Sequence, residues 1–244
     1  MTPRPLLTAE WRSLVMASYE IDPVVLEPRV PTGTLLDRWD GRTFVSVVAF
    51  RFLQARVRGI PIPFHRDFEE VNLRFYVRRP TGTESRRGVV FVREIVPRRA
   101  IALLARCLYH EPYVALPMRS TVTLEEADRG GEGRLRYEWF HGRRWCRLTA
   151  TTAGRPSRPA PGSLPELITE HYWGYTRDPN DATREYHVEH PRWSVWSALS
   201  YQLECDVASL WGPEFASALW GPPASVFVAD GSRVSVHVGG RLTW

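Results

Sequence analysis

Residues 68–78, FEEVNLRFYVR, constrain the fold more than any other stretch. Side chains of a β-strand alternate between faces, so one face carries Val71, Leu73, Phe75 and Val77. The other carries Glu70, Asn72, Arg74 and Tyr76, with neighbours about 7 Å apart along the row. The first row must meet a core. The second row, a carboxylate, an amide, a guanidinium and a phenol, is either the wet face of an antiparallel sheet or the polar lining of an enclosed space. Alternation alone leaves both open.

Several other stretches read as strands. Residues 43–53, TFVSVVAFRFL, are dense in Val and Phe; 88–96 and 113–124 also read as strands, and 11–21 is mixed. Residues 134–141 and 144–153 flank Gly142, and 225–229 and 233–238 flank Asp230-Gly231, so each pair predicts a hairpin. Residues 22–31 hold three prolines and read as a turn-rich connection; 58–64, RGIPIPF, read as a loop. Residues 97–109 have a helical look, with Ala100, Leu103, Leu104 and Cys107 at helical spacing behind Pro97. Ser163 and Glu166 form a capping box at a second helix start. The proline-rich run 155–162 is the best candidate for a domain boundary, yet the chain beyond it alternates short strands and helices too irregularly for a separate unit. The expectation is an α+β fold, mainly antiparallel β, in one domain over residues 1–244.

Composition removes several function classes. A hydrophobic share of 43% supports a real core, and 12% aromatic residues suit a β-rich interior or a lined pocket. The net charge of +5 is modest, and the arginines alternate with carboxylates without forming a block, which argues against nucleic-acid binding. Cys107, Cys146 and Cys205 are too far apart in sequence for a C-x-x-C pair. No apolar run suits a signal peptide or a membrane span, so a soluble, cytoplasmic protein is expected.

Other constellations are weak. His187 and His190 could be metal ligands, but Pro191 disfavours helix at His190, and in a strand the two side chains face opposite ways. No metal site and no cofactor are expected. His65 beside Asp67 could be an acid–base pair, but reads better as a loop hydrogen bond. Gly130-Gly131 lies in a charged turn without the strand-to-helix context of a phosphate loop, and there is no G-x-S-x-G elbow.

Six segments, VPTGTLLDRWDGRTFVSVVAF, GIPIPFHRDFEEVNLRFYV, GVVFVREIV, YHEPYVALPM, LITEHYWGY and VEHPRWSVWSA, together resemble the YqjF-like family, an uncharacterised group related to acetoacetate decarboxylase. They cover most of the chain in order, and F-x-E-x-N-x-R-x-Y-V is the most specific. The resemblance implies a double-sheet, cone-like antiparallel barrel around a small cavity. It also implies that Glu70 matches a glutamate lining the cavity of the decarboxylases. Their G-x-P-K element, which carries the nucleophilic lysine, falls here on His110-Glu111-Pro112-Tyr113, with the lysine position at Tyr113 or Val114.

The chain contains no lysine: all 32 basic residues are arginine. A guanidinium stays protonated and forms no imine, so the lysine-dependent route of the decarboxylases lacks its nucleophile. Two readings remain. The first is a pocket protein for a small carbonyl or carboxylate compound, an organic acid or a ketone. In it Glu70 and Tyr113 are the catalytic candidates and Asn72, Arg74, Tyr76 and Arg119 the substrate-binding ones, acting as a lyase or isomerase without covalent catalysis, or only binding. The second is a binding or structural protein that keeps the fold without the chemistry. Homo-oligomerisation is open in both.

Overall fold

Runs of Val, Phe and Tyr become long strands. The computed structural model describes residues 4–61, 65–82, 84–103, 111–178 and 180–242. Its strands are, in order, β1 (Leu7–Ile21), β2 (Leu35–Leu36), β3 (Thr43–Val57), β4 (Ile60–Pro61), β5 (Phe68–Thr81), β6 (Glu84–Val96), β7 (Tyr113–Ala115) and β8 (Met118–Val122). They continue as β9 (Glu132–His141), β10 (Arg144–Ala153), β11 (Trp173–Arg177), β12 (Thr183–Glu189), β13 (Val195–Ser197), β14 (Ser200–Glu204) and β15 (Ser225–His237).

Eleven of them form one sheet. Its path runs β5-β3-β1-β15-β12-β11-β6, and β6 pairs back onto β5, so the hydrogen-bonded path returns to its start. Most pairings are antiparallel; β11 and β7 join β6 in parallel. The second sheet, β14-β10-β9-β8, has four strands. The apolar row Val71, Leu73, Phe75 and Val77 is fully buried and shares a core with Leu135, Tyr137 and Trp139 of β9 and Leu148 of β10. The second sheet therefore covers the outer face of the first. A separate apolar cluster, including Leu14, Met16, Phe50, Phe52 and Phe68, occupies the opposite side.

The β9–β10 hairpin forms around Gly142 as expected. The Asp230-Gly231 hairpin does not. Residues 225–237 are one uninterrupted strand, β15, whose partners along nearly its whole length lie in β1. Gly231 has a positive φ of 88°, which is why it reads as a turn, and a Cβ there would meet the Trp11 carbonyl oxygen at 2.0 Å. The glycine answers a close crossing of two strands rather than a chain reversal.

The connection at 22–31 contains a short helix, Pro23–Leu26, capped by Asp22, which accepts a hydrogen bond from Val24 N at 2.9 Å. The capping box at Ser163 starts the helix Leu164–Thr169, and the Ser163 hydroxyl accepts from Glu166 N. Residues 99–103 are helical; the remainder of the expected helix, including Cys107, lies outside the described residues. Among the described residues, no helix is long and apolar enough to cross a membrane.

Candidate functional site

The strands of the path β5-β3-β1-β15-β12-β11-β6 line a cavity of about 90 Å³. All seven strands of that path contribute lining residues, for instance Met16 (β1), Phe50 (β3), Glu70 (β5), Glu94 (β6), Trp173 (β11), Tyr186 (β12) and Val236 (β15). The volume is several times the roughly 10–15 Å³ that one water needs. The polar row of β5 thus faces inward: Glu70 and Asn72 are 2% and 1% exposed, and Arg74 is half-buried.

One irregularity decides which charge β6 contributes. On β6, Val89 and Phe91 point to the cavity, so strict alternation would next turn Arg93 inward. Instead the pairing with β5 slips by one residue between Leu73 and Arg74: Arg74 faces Phe91, Leu73 faces Arg93, and Val92 is surplus. This bulge resets the alternation. Arg93 turns outward and donates to the Leu210 carbonyl, while Glu94, 2% exposed, turns in. Glu94 then lies directly opposite Asn72 on one side and Tyr113 of β7 on the other.

The result is a group of three buried carboxyls, Glu70, Glu94 and Glu111, in one cavity. Asn72 Nδ2 donates to Glu70 Oε1 at 2.9 Å, and the Tyr113 hydroxyl donates to Glu70 Oε2 at 3.2 Å. The Tyr186 hydroxyl donates to Glu111 Oε1 at 3.1 Å. Burial pushes the Glu70 carboxyl up to about 7, against the hydrogen bonds of Asn72 and Tyr113 and the charge of Arg74. Burial pushes Glu111 up to about 8, opposed by the Tyr186 hydrogen bond and reinforced by the charge of Glu70. Glu94 is raised too, by burial and by the charges of Glu111 and Glu70. Such a cluster holds protons at neutral pH, because burial and mutual repulsion both disfavour full ionisation.

Among the described residues, Arg74 is the cation of this space. Among the described residues it makes no ion pair; its Nη2 lies 3.8 Å from Met16 Sδ, and its buried Nε has no hydrogen-bond partner. Asn72 Oδ1, Glu94 Oε2, Trp11 Nε1 and His171 Nδ1 are likewise buried without partners, and all belong to residues that line the cavity. Five buried polar atoms of the lining residues thus have no protein partner among the described residues, although such groups are rarely left unpaired in folded proteins. The rest of the lining is apolar and aromatic: Trp11 packs edge-on to Phe50 at 5.3 Å, and His190 stacks on Trp193 at 4.2 Å.

His171, which follows the helix Leu164–Thr169, forms a further edge of the cavity. Its Nε2 meets Asp37 Oδ2 at 3.0 Å, and Arg87 Nε donates to the same oxygen at 2.8 Å. Burial opposes ionisation of Asp37, but the hydrogen bonds and charges of His171 and Arg87 outweigh it and hold the carboxyl below its ordinary value. Burial lowers His171, against the pull of Asp37.

Of the residues expected from sequence, Glu70, Asn72, Arg74 and Tyr113 come together in the cavity. Tyr76 stands behind it: its hydroxyl donates to Ser46 Oγ at 2.7 Å, and its ring packs on His171 at 4.7 Å. Arg119 is elsewhere. It lies on β8 of the second sheet, more than half exposed, paired with Glu138 at 2.8 Å and stacked over Trp145 at 4.2 Å. Edge-strand alternation carries it outward, away from the cavity lining. Sequence reasoning missed Glu94, Glu111, His171 and Asp37. His187 packs on Trp173 at 4.7 Å, His190 lines the cavity, and Asp67 accepts from Gln54 N at 2.8 Å. Among the described residues, no group of His, Cys, Asp or Glu is arranged to hold a metal ion.

Comparison with known proteins agrees with this architecture. The model of the family DUF2071, described as an uncharacterized conserved protein, matches residues 8–233. The uncharacterized protein YqjF of Bacillus subtilis (strain 168) is 27% identical over 194 residues, 79% of this chain and 76% of that protein. Among solved structures, acetoacetate decarboxylase from Legionella pneumophila aligns with a TM-score of 0.65 at 14% identity, over 99% of this chain and 88% of that one. The enduracididine biosynthesis enzyme MppR, complexed with the condensation product of pyruvate and imidazole 4-carboxaldehyde, gives 0.68 at 16%, over 100% and 91%. An acetoacetate decarboxylase-like enzyme from Sphingomonas wittichii RW1 gives 0.68 at 15%, over 98% and 94%. At these identities the structural likeness establishes the acetoacetate decarboxylase-like fold and nothing finer.

Proposed function

For this chain, which belongs to the DUF2071 family, we propose a small-molecule function in the cavity: binding of an organic acid that carries a carbonyl next to an apolar or aromatic group, with proton transfer rather than imine formation as its chemistry. The single observation that carries the reading is the meeting of the Arg74 guanidinium, without an ion-pair partner among the described residues, with three buried carboxyls of raised pKa in one cavity. Arg74 supplies the contact for a carboxylate, and a guanidinium does this best in a partly desolvated site. A protonated Glu70, Glu94 or Glu111 can donate to a carbonyl oxygen, and its ionised form can take a proton, which suits general acid–base work near neutral pH. Tyr113, one of the two positions, 113 and 114, to which the resemblance assigns the lysine, is hydrogen-bonded to Glu70 and serves as a donor rather than a nucleophile. The aromatic side of the cavity receives the apolar part of the ligand.

In support, MppR has been solved with pyruvate, a 2-oxo acid, on the same fold. The test is a thermal-shift and tryptophan-fluorescence titration with 3-phenylpyruvate, phenylacetate and acetoacetate. At least one of these acids should stabilise the wild type and fail to stabilise Arg74→Leu. If none shifts the wild type at millimolar concentration, the reading is wrong.

A further inference from the structure

We propose that His171 is the proton acceptor of the cavity, held in one tautomer by Asp37, which Arg87 in turn holds in place. The inference rests on the small-molecule reading above and names a residue that the sequence did not single out.

The two ring nitrogens of His171 have different environments. Nε2 lies 3.0 Å from Asp37 Oδ2, and the side chains of His171 and Asp37 are only 1% and 4% exposed. Asp37 is gripped by Arg87 through Nε at 2.8 Å and Nη2 at 3.4 Å. A carboxylate fixed by a guanidinium is a strong acceptor, so the imidazole proton belongs on Nε2. That leaves a lone pair on Nδ1. This atom is buried and has no hydrogen-bond partner among the described residues, and His171 lines the cavity. The Tyr76 ring, packed on the imidazole at 4.7 Å and tied through its hydroxyl to Ser46, fixes the plane of the ring. A carboxylate that orients an imidazole whose other nitrogen faces the reacting group is a general arrangement of enzymatic bases.

The step balances within the cavity. The C–H bond next to the ligand carbonyl breaks, the proton goes to Nδ1, and the electron pair moves onto the carbonyl oxygen. That oxygen takes a proton from one of the buried carboxyls, or its charge is met by Arg74. Reversal from an Nδ1 that has exchanged with solvent deuterium returns the ligand labelled and the protein unchanged. Asp37 is a positioning residue in this scheme, since it acts only through the ring.

Two readouts test the proposal, one of which needs no ligand. Long-range 1H–15N spectra of histidine-labelled protein, with His171 assigned by its loss in His171→Gln, should show a neutral ring protonated on Nε2 at neutral pH. A ring protonated on Nδ1, or on both nitrogens, overturns the proposal whatever any ligand does. The second readout is deuterium uptake at carbon 3 of 3-phenylpyruvate, followed by proton NMR. Wild type should accelerate it, and His171→Gln should lower that acceleration by about 10²–10⁴-fold with fluorescence-measured affinity retained. Asp37→Asn is the second variant, in case the first does not fold. It should lose exchange and show the altered tautomer in the same spectra, an effect that a purely structural role would not produce. Exchange that persists at the wild-type rate in a folded, binding-competent His171→Gln overturns the proposal alone. A wild type that neither binds nor exchanges the probe overturns the small-molecule reading itself, and the base role with it.

Discussion

Gly174 and Tyr186 face each other across the β11–β12 pair, and the tyrosine ring occupies the space that a side chain at 174 would need. A Cβ on residue 174 would fall 2.0 Å from Tyr186 Cζ. Because position 174 is bare, the Tyr186 ring can lie flat across β11 and place its hydroxyl on Glu111. Gly174→Ala should therefore displace Tyr186 and destabilise the fold by about 1–3 kcal/mol, as overpacking does. Tyr186→Phe removes only the hydrogen bond and should cost about 0.5–1.5 kcal/mol. Both should raise the Glu111 pKa further, because that hydrogen bond favours its ionised form. Denaturant unfolding and carboxyl titration by 13C NMR measure the two effects.

The buried carboxyls give stability a definite pH dependence. Their folded values lie above the ordinary 4.5: Glu70 at about 7 and Glu111 at about 8. Below that ordinary value both states hold the protons and their contribution is fully present. As pH rises from there toward 8, the unfolded chain releases protons that the native state keeps, so the contribution of these carboxyls falls, while His171, His187 and His190, whose values burial lowers, act in the opposite direction. Each such group can add a slope of up to about 1.4 kcal/mol per pH unit. Glu70→Gln or Glu111→Gln should flatten the decline. A pH dependence that is identical in the wild type and in both Gln variants would contradict the burial assigned to these groups.

Arg74 and Glu70 share one row of β5 with Asn72 between them. Arg74→Leu should raise the Glu70 pKa, because the guanidinium favours the carboxylate. It should also weaken carboxylate binding by at least tenfold, about 1.4 kcal/mol. An unchanged Glu70 titration in the variant would show that the pair does not communicate.

Phe75 is fully buried between the two sheets. Phe75→Ala should cost about 3–5 kcal/mol. A loss below about 1 kcal/mol by denaturant unfolding would mean that the outer face of β5 is not the shared core.

Incubation with acetoacetate and borohydride should leave no adduct on a side chain of this protein, since it has no lysine to form the imine. Intact-mass measurement decides it; a stable mass increase mapped to a side chain would refute the claim.

The parts of this architecture that follow a regular period were legible in the sequence. Alternation in 68–78 sorted the row Val71–Val77 from the row Glu70–Tyr76, and both sort the same way in the structure. Alternation could not say whether the polar row met water or an enclosed space, because that depends on the closing pair β5–β6. Glu94 was hidden by the bulge, although a carboxylate within the apolar run GVVFVREIV was a signal. Glu111 sits in the irregular turn before β7, where no period applies. Asp37 and His171 are 134 residues apart, and nothing local ties one to the other. At Asp230-Gly231 a genuine local signal was outvoted by pairing of both flanks with β1.

The surplus residue in β6 sets the sign of the chamber. Were the ladder regular, the guanidinium of Arg93 would project among Glu70 and Glu111 and neutralise them, and Glu94 would face the outer core. Two carboxylates beside two guanidiniums would ionise freely, and the interior could store no proton at neutral pH. With the extra residue, three acids share the space with one cation among the described residues, and burial and mutual repulsion both resist their full ionisation. The number of acids that face this cavity is thus counted out in backbone units: it depends on one residue too many in a strand.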